Sequence, residues 1–324
     1  MTGNRLLDLL IGLAGLIPAL AFIGAVYQFI ADKVSEKKYP PPGRLVDVGG
    51  YRLHIHCLGT EGAKAGPVVV MDAGIGECSL GWSLVQPQIA RFARVCSYDR
   101  AGLGWSDAAP TARTSQQIVN DLHALLQRAG IAPPYVMVGH SFGGLNVRLY
   151  ASQFPEEVVG LVLVDAANEN YSISHLNPLY IRLGLLTAFL GIPRLFAGLV
   201  LSANPIFAVD SKYPSAYRTI ATSTKYLNTV RREWSAVDES WGQARNSKKS
   251  LGDRPLVALL PTSEHELFPV AKQLQMDLAS RSTAGKLIMV EQSSHHIQHD
   301  RPETVIDAVR EVVEAVRHKT NDRR

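Results

Sequence analysis

Tyr135-Val-Met-Val-Gly139-His140-Ser141-Phe142-Gly143-Gly-Leu-Asn-Val-Arg-Leu149 joins a strand, a sharp turn and a helix within one short stretch. Tyr135 to Val138 is an apolar run of strand length. Leu145, Val147 and Leu149 belong to a helical segment that follows. Between the two stands the pattern G-x-S-x-G, which in this setting lifts a serine onto a strained bend between strand and helix. The glycines have a steric reason, since a side chain two positions to either side of the serine would collide with neighbouring backbone. The blander reading, a Gly-rich turn with an incidental serine, is disfavoured by the strand–turn–helix context.

Outward from this turn, short apolar runs alternate with amphipathic helices. Strands are expected at Val46 to Val48, Tyr51 to Cys57, Val68 to Met71, Arg94 to Tyr98, Tyr135 to Val138, Val159 to Val164, Leu256 to Leu260 and Leu287 to Val290. The first two flank Gly49-Gly50 and read as a hairpin. The rest predict an α/β fold with a mostly parallel sheet and helices on both faces. One helix is predicted from Thr114, with Gln117 completing a capping box and Ile118, Leu122, Leu125 and Leu126 on one face. Another is predicted from Pro302, carrying Val305, Ile306, Val309, Val312, Val313 and Val316.

Between Ala167 and about Ser250 the alternation stops and the chain becomes helix-like, which predicts an inserted helical cap over the sheet. Its apolar stretch Leu179 to Ala203 contains Arg182 and Arg194, charges too costly for a membrane span. The expected organisation is an N-terminal anchor and linker over 1–42, a core over 43–166 and 251–318, and a cap over 167–250. The anchor rests on Leu9 to Ile30, an uncharged run of about the ~20 residues a spanning helix needs and longer than a signal-peptide centre. A buried N-terminal helix is the weaker alternative, because the run lacks polar periodicity. Lys33, Lys37, Lys38 and Arg44 follow the run and only Arg5 precedes it, so the positive-inside rule expects the large domain on the cytoplasmic side.

Composition narrows the functions. The net charge is +4 over 324 residues, with Lys and Arg scattered, so a nucleic-acid partner has no support. Cys57, Cys78 and Cys96 form no CxxC pair and no disulfide framework, and are expected as small buried hydrophobes. His54 and His56 alternate on one strand, but no third ligand accompanies them, so neither metal nor cofactor is expected.

A serine hydroxyl needs a base. The candidates lie in Ser293-Ser294-His295-His296-Ile297-Gln298-His299-Asp300, between the last strand and the last helix. His295 stands nearest the strand end and is preferred, His296 is second, and His299 serves the helix start. The acid that orients the imidazole is Asp165, ending the run from Gly160, or Glu264 after the next strand, where Glu266 also stands. Asp165 is preferred for its fixed place at a strand end. An oxyanion hole needs two backbone donors. The N–H of Phe142 and that of Ile75, in Asp72-Ala-Gly-Ile-Gly76, are the candidates. Tyr98-Asp99-Arg100-Ala-Gly-Leu-Gly-Trp-Ser-Asp107 is read as a structural turn.

Taken together, Gly43-Arg-Leu-Val-Asp-Val-Gly-Gly50, the Asp72 to Gly76 and Tyr98 to Asp107 segments, Gly139-His-Ser-Phe-Gly-Gly144 and the His295 segment resemble the α/β-hydrolase superfamily. The likeness is to its bacterial-type hydrolases with a helical cap, and it covers roughly Gly43 to Val316. It implies the eight-stranded α/β-hydrolase fold, and His295 matches the base position seven residues before the Pro that opens the last helix. Two departures stand out: Ala73-Gly74 replaces the usual His-Gly, and the usual acid site after the penultimate strand has no Asp. Members with an Asp nucleophile, such as haloalkane dehalogenases and epoxide hydrolases, are disfavoured by Ser141.

The expected function is hydrolysis of an ester-type, lipophilic small molecule through Ser141, His295 and Asp165, with no cofactor. Perhydrolysis or carbon–carbon hydrolysis on the same triad is the alternative chemistry. A membrane-tethered binding protein that kept only the fold is the non-catalytic alternative.

Overall fold

The computed structural model describes residues 3–59, 66–171, 178–197, 214–267 and 269–321. Eight strands form one sheet: β1 (Arg44–Asp47), β2 (Arg52–Leu58), β3 (Val68–Asp72), β4 (Val95–Tyr98), β5 (Tyr135–His140), β6 (Val158–Val164), β7 (Leu256–Pro261) and β8 (Gly285–Val290). Their spatial order is β1-β2-β4-β3-β5-β6-β7-β8. The β1–β2 and β2–β4 pairs are antiparallel and all later pairs are parallel.

The continuous apolar runs follow from burial on both faces. Val68, Val70, Met137, Leu161 and Leu163 face one core, with Leu122, Leu125 and Leu126 of the Ser115–Arg128 helix and Val147 of the Phe142–Gln153 helix. Val69, Met71, Val136, Val138 and Val162 face the other. There they meet Ile89 and the stripe Val305, Val309, Val312, Val313 and Val316 of the Pro302–Asn321 helix. Each valine of that stripe contributes roughly 1.5–3 kcal/mol of burial.

The helix expected from Thr114 begins at Ser115, with Thr114 as its N-cap accepting from Gln117 N–H. The Gln117 side chain donates through Nε2 to Asp121 (2.7 Å). The segment between β6 and β7 carries helices at Pro178–Phe189, Ile192–Leu195, Pro214–Ala221, Thr224–Ser235 and Val237–Arg245. Residues 198–213, which take in the end of the Leu179 to Ala203 run, lie outside the described residues. By contacts the chain divides into two compact units. One comprises Met1–Pro40, Leu176–Ala208 and Tyr213–Asn228, and the other comprises Pro41–His175, Val209–Lys212 and Thr229–Arg324.

Two expectations are corrected. Among the described residues, no helix is long and apolar enough to cross a membrane. The single-pass anchor at Leu9 to Ile30 is therefore overturned, and the cytoplasmic orientation derived from it falls as well. The Gly3–Lys38 helix packs instead within its own unit. Gln28 is buried and donates to Thr222 O (3.0 Å) and Asp32 Oδ1 (3.1 Å), and Asp32 in turn pairs with Arg194. Counting uncharged residues overlooked that a neutral glutamine serves tertiary packing as readily as an apolar residue serves lipid.

The cysteines are the second correction. Cys57 and Cys96 form a disulfide. They stand opposite each other in the β2–β4 register, although β3 lies between them in sequence. Cys78 is free and buried.

Candidate active site

Ser141 follows the end of β5 with φ 50° and ψ −117°, a left-handed conformation that costs a non-glycine residue about 1–3 kcal/mol. The flanking glycines are required sterically, as expected. A Cβ at Gly139 would lie 2.6 Å from Gly144 N, and one at Gly143 would lie 2.3 Å from Asp72 O. Main-chain bonds stitch the bend to the end of β6, for Ser141 N–H donates to Val164 O (3.1 Å) and Ala167 N–H donates to Ser141 O (2.9 Å). Asp165 sits between those two anchors. It is itself at φ 38°, and Gln292, just past β8, is at φ 53°. Among the described residues these three are the non-glycine positions with positive φ, and each closes a strand that leads into the site.

Asp165 Oδ2 lies 2.6 Å from His295 Nδ1. His295 is the residue expected as base and Asp165 the one preferred as acid, so the structure brings this predicted pair together. The side chain of Glu264 lies outside the described residues. His296 turns elsewhere, with its Nε2 3.2 Å from Glu77 Oε1. His299 is partly buried, and that burial outweighs the opposing pull of the Glu77 carboxylate and pushes its pKa down to about 4. The loop that carries His295 is strapped to the end of β7: Ser263 Oγ donates to Ser293 O (2.6 Å) and Thr262 Oγ1 to Val290 O (3.3 Å).

The loop Asp72 to Gly76 is gripped from several sides. Gly74 N–H donates to Glu77 Oε2 (2.9 Å) and Gly76 N–H to Glu233 Oε2 (2.8 Å). The guanidinium of Arg100 donates to Ala73 O (2.6 Å), Gly74 O (2.5 Å), Asp72 Oδ1 (2.6 Å) and Glu233 Oε1 (2.7 Å). Arg100 stands in the segment read as a structural turn, yet its partners lie outside that turn, on the neighbouring strand end and on the insertion. Asp99 accepts from Ser79 N–H and Trp105 N–H and pairs with buried His54 Nδ1 (2.9 Å), which commits that histidine to the scaffold.

Glu77 and His140 are participants that the sequence did not single out. His140 Nδ1 lies 3.0 Å from Glu77 Oε2, and its Nε2 lies 3.0 Å from His295 O. Burial alone would raise the Glu77 carboxyl, but the charge and hydrogen bonds of His140 and His296 outweigh it and hold it well below the ordinary carboxylate range. The signal in sequence was faint: His140 occupies the unspecified position of G-x-S-x-G, and a glutamate three residues past Gly74 has no motif of its own.

Ser141, Phe142, Asp165, Ile75 and His295 all line one cavity of about 490 Å³. Tyr171, Trp234, Trp241 and Leu274 give it a mainly apolar wall, and Trp241 stacks against Phe142 with centroids 6.0 Å apart. A strained serine and an imidazole bonded to a carboxylate at one cavity form an arrangement suited to nucleophilic attack on a carbonyl.

The family model for the alpha/beta hydrolase fold matches residues 67–251, more than half of the chain. The chain belongs to that family. It is similar to YqjL of Bacillus subtilis (strain 168), at 28% identity over 252 residues covering 77% of this chain and 84% of that protein. A probable transporter, efuK of Hormonema carpetanum, is 36% identical over 129 residues, which is 39% of this chain but 18% of the relative. Among solved structures, wild-type Cfl2 from Burkholderia cenocepacia superposes with a TM-score of 0.68 at 22% identity, covering 83% of this chain and 95% of that one. The enol-lactonase from Burkholderia xenovorans LB400 has a TM-score of 0.61 at 18% identity, covering 83% and 99%. Both likenesses are of fold.

Proposed function

We propose that the protein is a serine hydrolase that cleaves an ester-type small molecule through an acyl-enzyme. Ser141 Oγ attacks the carbonyl carbon while His295 Nε2 takes its proton. Asp165, on Nδ1, keeps the ring in the correct tautomer and stabilises the imidazolium. The N–H groups of Phe142 and Ile75 receive the oxyanion, each such donor being worth roughly 2.7–4 kcal/mol in the transition state. The imidazolium then protonates the departing alcohol, and a water activated by the same ring releases the acid.

The observation that carries the reading is the 2.6 Å contact between His295 Nδ1 and Asp165 Oδ2, made at the cavity that Ser141 also lines. With the carboxylate on Nδ1, Nε2 is the nitrogen that this reading assigns to the hydroxyl's proton. The aromatic wall favours an apolar acyl or alcohol group over a charged one.

Labelling with a fluorophosphonate probe tests the reading. The wild type is expected to label, Ser141→Ala to lose labelling entirely, and His295→Ala to label far more slowly. Undiminished labelling of Ser141→Ala refutes the proposed nucleophile. Turnover of p-nitrophenyl esters separates ester hydrolysis from other chemistry on the same residues.

A further inference from the structure

We propose that Arg100 and Glu233 are positioning residues that aim the Ile75 N–H at the oxyanion, so that a side chain of the insertion sets the geometry of the hole. The proposal rests on the serine-hydrolase reading above and concerns the donor that the reading draws from the Asp72 to Gly76 loop.

The argument begins with the peptide plane. In a trans peptide the C=O and the following N–H point in opposite directions, so fixing one fixes the other. Gly74 C=O and Ile75 N–H share one such plane. Gly74 O accepts from Arg100 Nη2 at 2.5 Å and from Glu77 N–H at 3.0 Å, which turns Ile75 N–H away from the guanidinium. The next plane, Ile75 C=O with Gly76 N–H, is held in the same manner, because Gly76 N–H donates to Glu233 Oε2. The plane before it is fixed at both ends, with Ala73 O on Arg100 and Gly74 N–H on Glu77. Three successive peptide units are thus oriented by charged side chains, while among the described residues no group accepts from Ile75 N–H.

Burial gives these contacts their strength. Arg100 is 2% exposed, Asp72 1% and Glu233 0%, so water cannot substitute for a lost partner. The guanidinium is suited to the task by shape as well as charge. Its planar fork reaches two carbonyls and two carboxylates at once, which a lysine ammonium cannot. Glu233 lies in the Thr224–Ser235 helix of the insertion, and its neighbour Trp234 lines the cavity. Substrate contact on that wall is therefore one residue away from the group that holds Gly76.

The test uses the full chain, p-nitrophenyl butyrate as substrate and phenylboronic acid as a tetrahedral analogue. Active sites are counted by fluorophosphonate titration, so kcat is expressed per competent serine. Glu233→Gln keeps an oxygen for Gly76 N–H but removes the charge facing Arg100. It is expected to lower kcat roughly 10- to 100-fold, less than outright loss of an oxyanion donor. KM should stay within about threefold, and the boronate inhibition constant should rise by the same factor as kcat falls. Arg100→Lys is expected to show the same pattern, and it decides the matter alone if Glu233→Gln does not fold. Unchanged kcat per site, or a loss carried by KM with boronate affinity intact, overturns the proposal. A wild type that neither labels nor turns over ester instead sinks the serine-hydrolase reading itself, which separates the two failures.

Discussion

His140 Nε2 lies 3.0 Å from the main-chain oxygen of His295, so the residue ahead of the candidate nucleophile braces the loop of the candidate base. A carbonyl oxygen only accepts, which places a hydrogen on Nε2. The opposite face, Nδ1 against Glu77 Oε2, then shares one further proton between ring and carboxylate. Glu77 also holds Gly74 N–H and faces His296, so one buried carboxylate ties together the β5 turn, the Asp72 to Gly76 loop and the imidazole loop.

His140→Phe preserves ring volume and removes both bonds. Displacing the imidazole loop by a fraction of an ångström is expected to lower kcat by about 10- to 100-fold with little change in KM. Steady-state kinetics on a p-nitrophenyl ester, normalised to titrated sites, measures this. Wild-type kcat in the variant would show that the brace has no catalytic consequence.

Replacing the carboxylate beside His295 should be far more damaging. Asp165→Asn is expected to reduce kcat by roughly 10³- to 10⁴-fold, because the amide stabilises the wrong tautomer and not the imidazolium. Glu264→Gln is expected to stay near wild type. The reverse ranking would transfer the acid's role to the end of β7.

Backbone strain at Ser141, the proposed nucleophile, predicts a trade between activity and stability. Ser141→Gly relieves a positive φ, and after the added freedom of the unfolded chain is deducted it is expected to stabilise the protein by about 1 kcal/mol. Turnover should vanish at the same time. Urea denaturation alongside an esterase assay checks both, and a lower unfolding midpoint would contradict the strain argument.

Acidification should weaken the fold through His299. Its folded pKa is about 4 against 6.5 for an ordinary histidine. The unfolded chain therefore binds a proton that the folded protein refuses. Stability falls as pH drops from 6.5 toward 4, by at most about 3 kcal/mol from this group. Glu77, held low, adds to the loss only beneath the ordinary carboxylate range near 4.5. Urea unfolding at pH 7 and at pH 5 should show the difference, and His299→Gln should flatten it.

Reduction of Cys57–Cys96 opens a loop spanning a sequence separation of 39 and is expected to cost about 2–4 kcal/mol of stability. Thermal melts with and without dithiothreitol measure the cost. Cys78→Ala should leave that difference unchanged.

Much of this architecture could be read from local pattern. The β5 turn betrayed itself because only glycine tolerates the contacts at Gly139 and Gly143, and the Pro302 helix because a valine stripe has one period. Asp165 and His295 were nameable as a pair because each follows a strand end. What escaped reading is what depends on register and distance. Cys57 faces Cys96 only after β3 inserts elsewhere in the sheet. Glu77 meets His140 across a separation of 63 residues, and Arg100 meets Glu233 across 133. The uncharged run near the N-terminus misled for a related reason, since Gln28 finds its partner at Thr222, far along the chain.

The imidazole loop leans on the end of β7, through Ser263 and Thr262, while its carboxylate partner comes from the end of β6. The start of the connection from β7 to the Val270–Ser280 helix thus holds the main chain on which the ring is carried. Lengthening, shortening or reshaping that connection would therefore shift the direction from which the ring meets a substrate. Reaction preference would then change while Ser141, Asp165 and His295 all stay in sequence where they are.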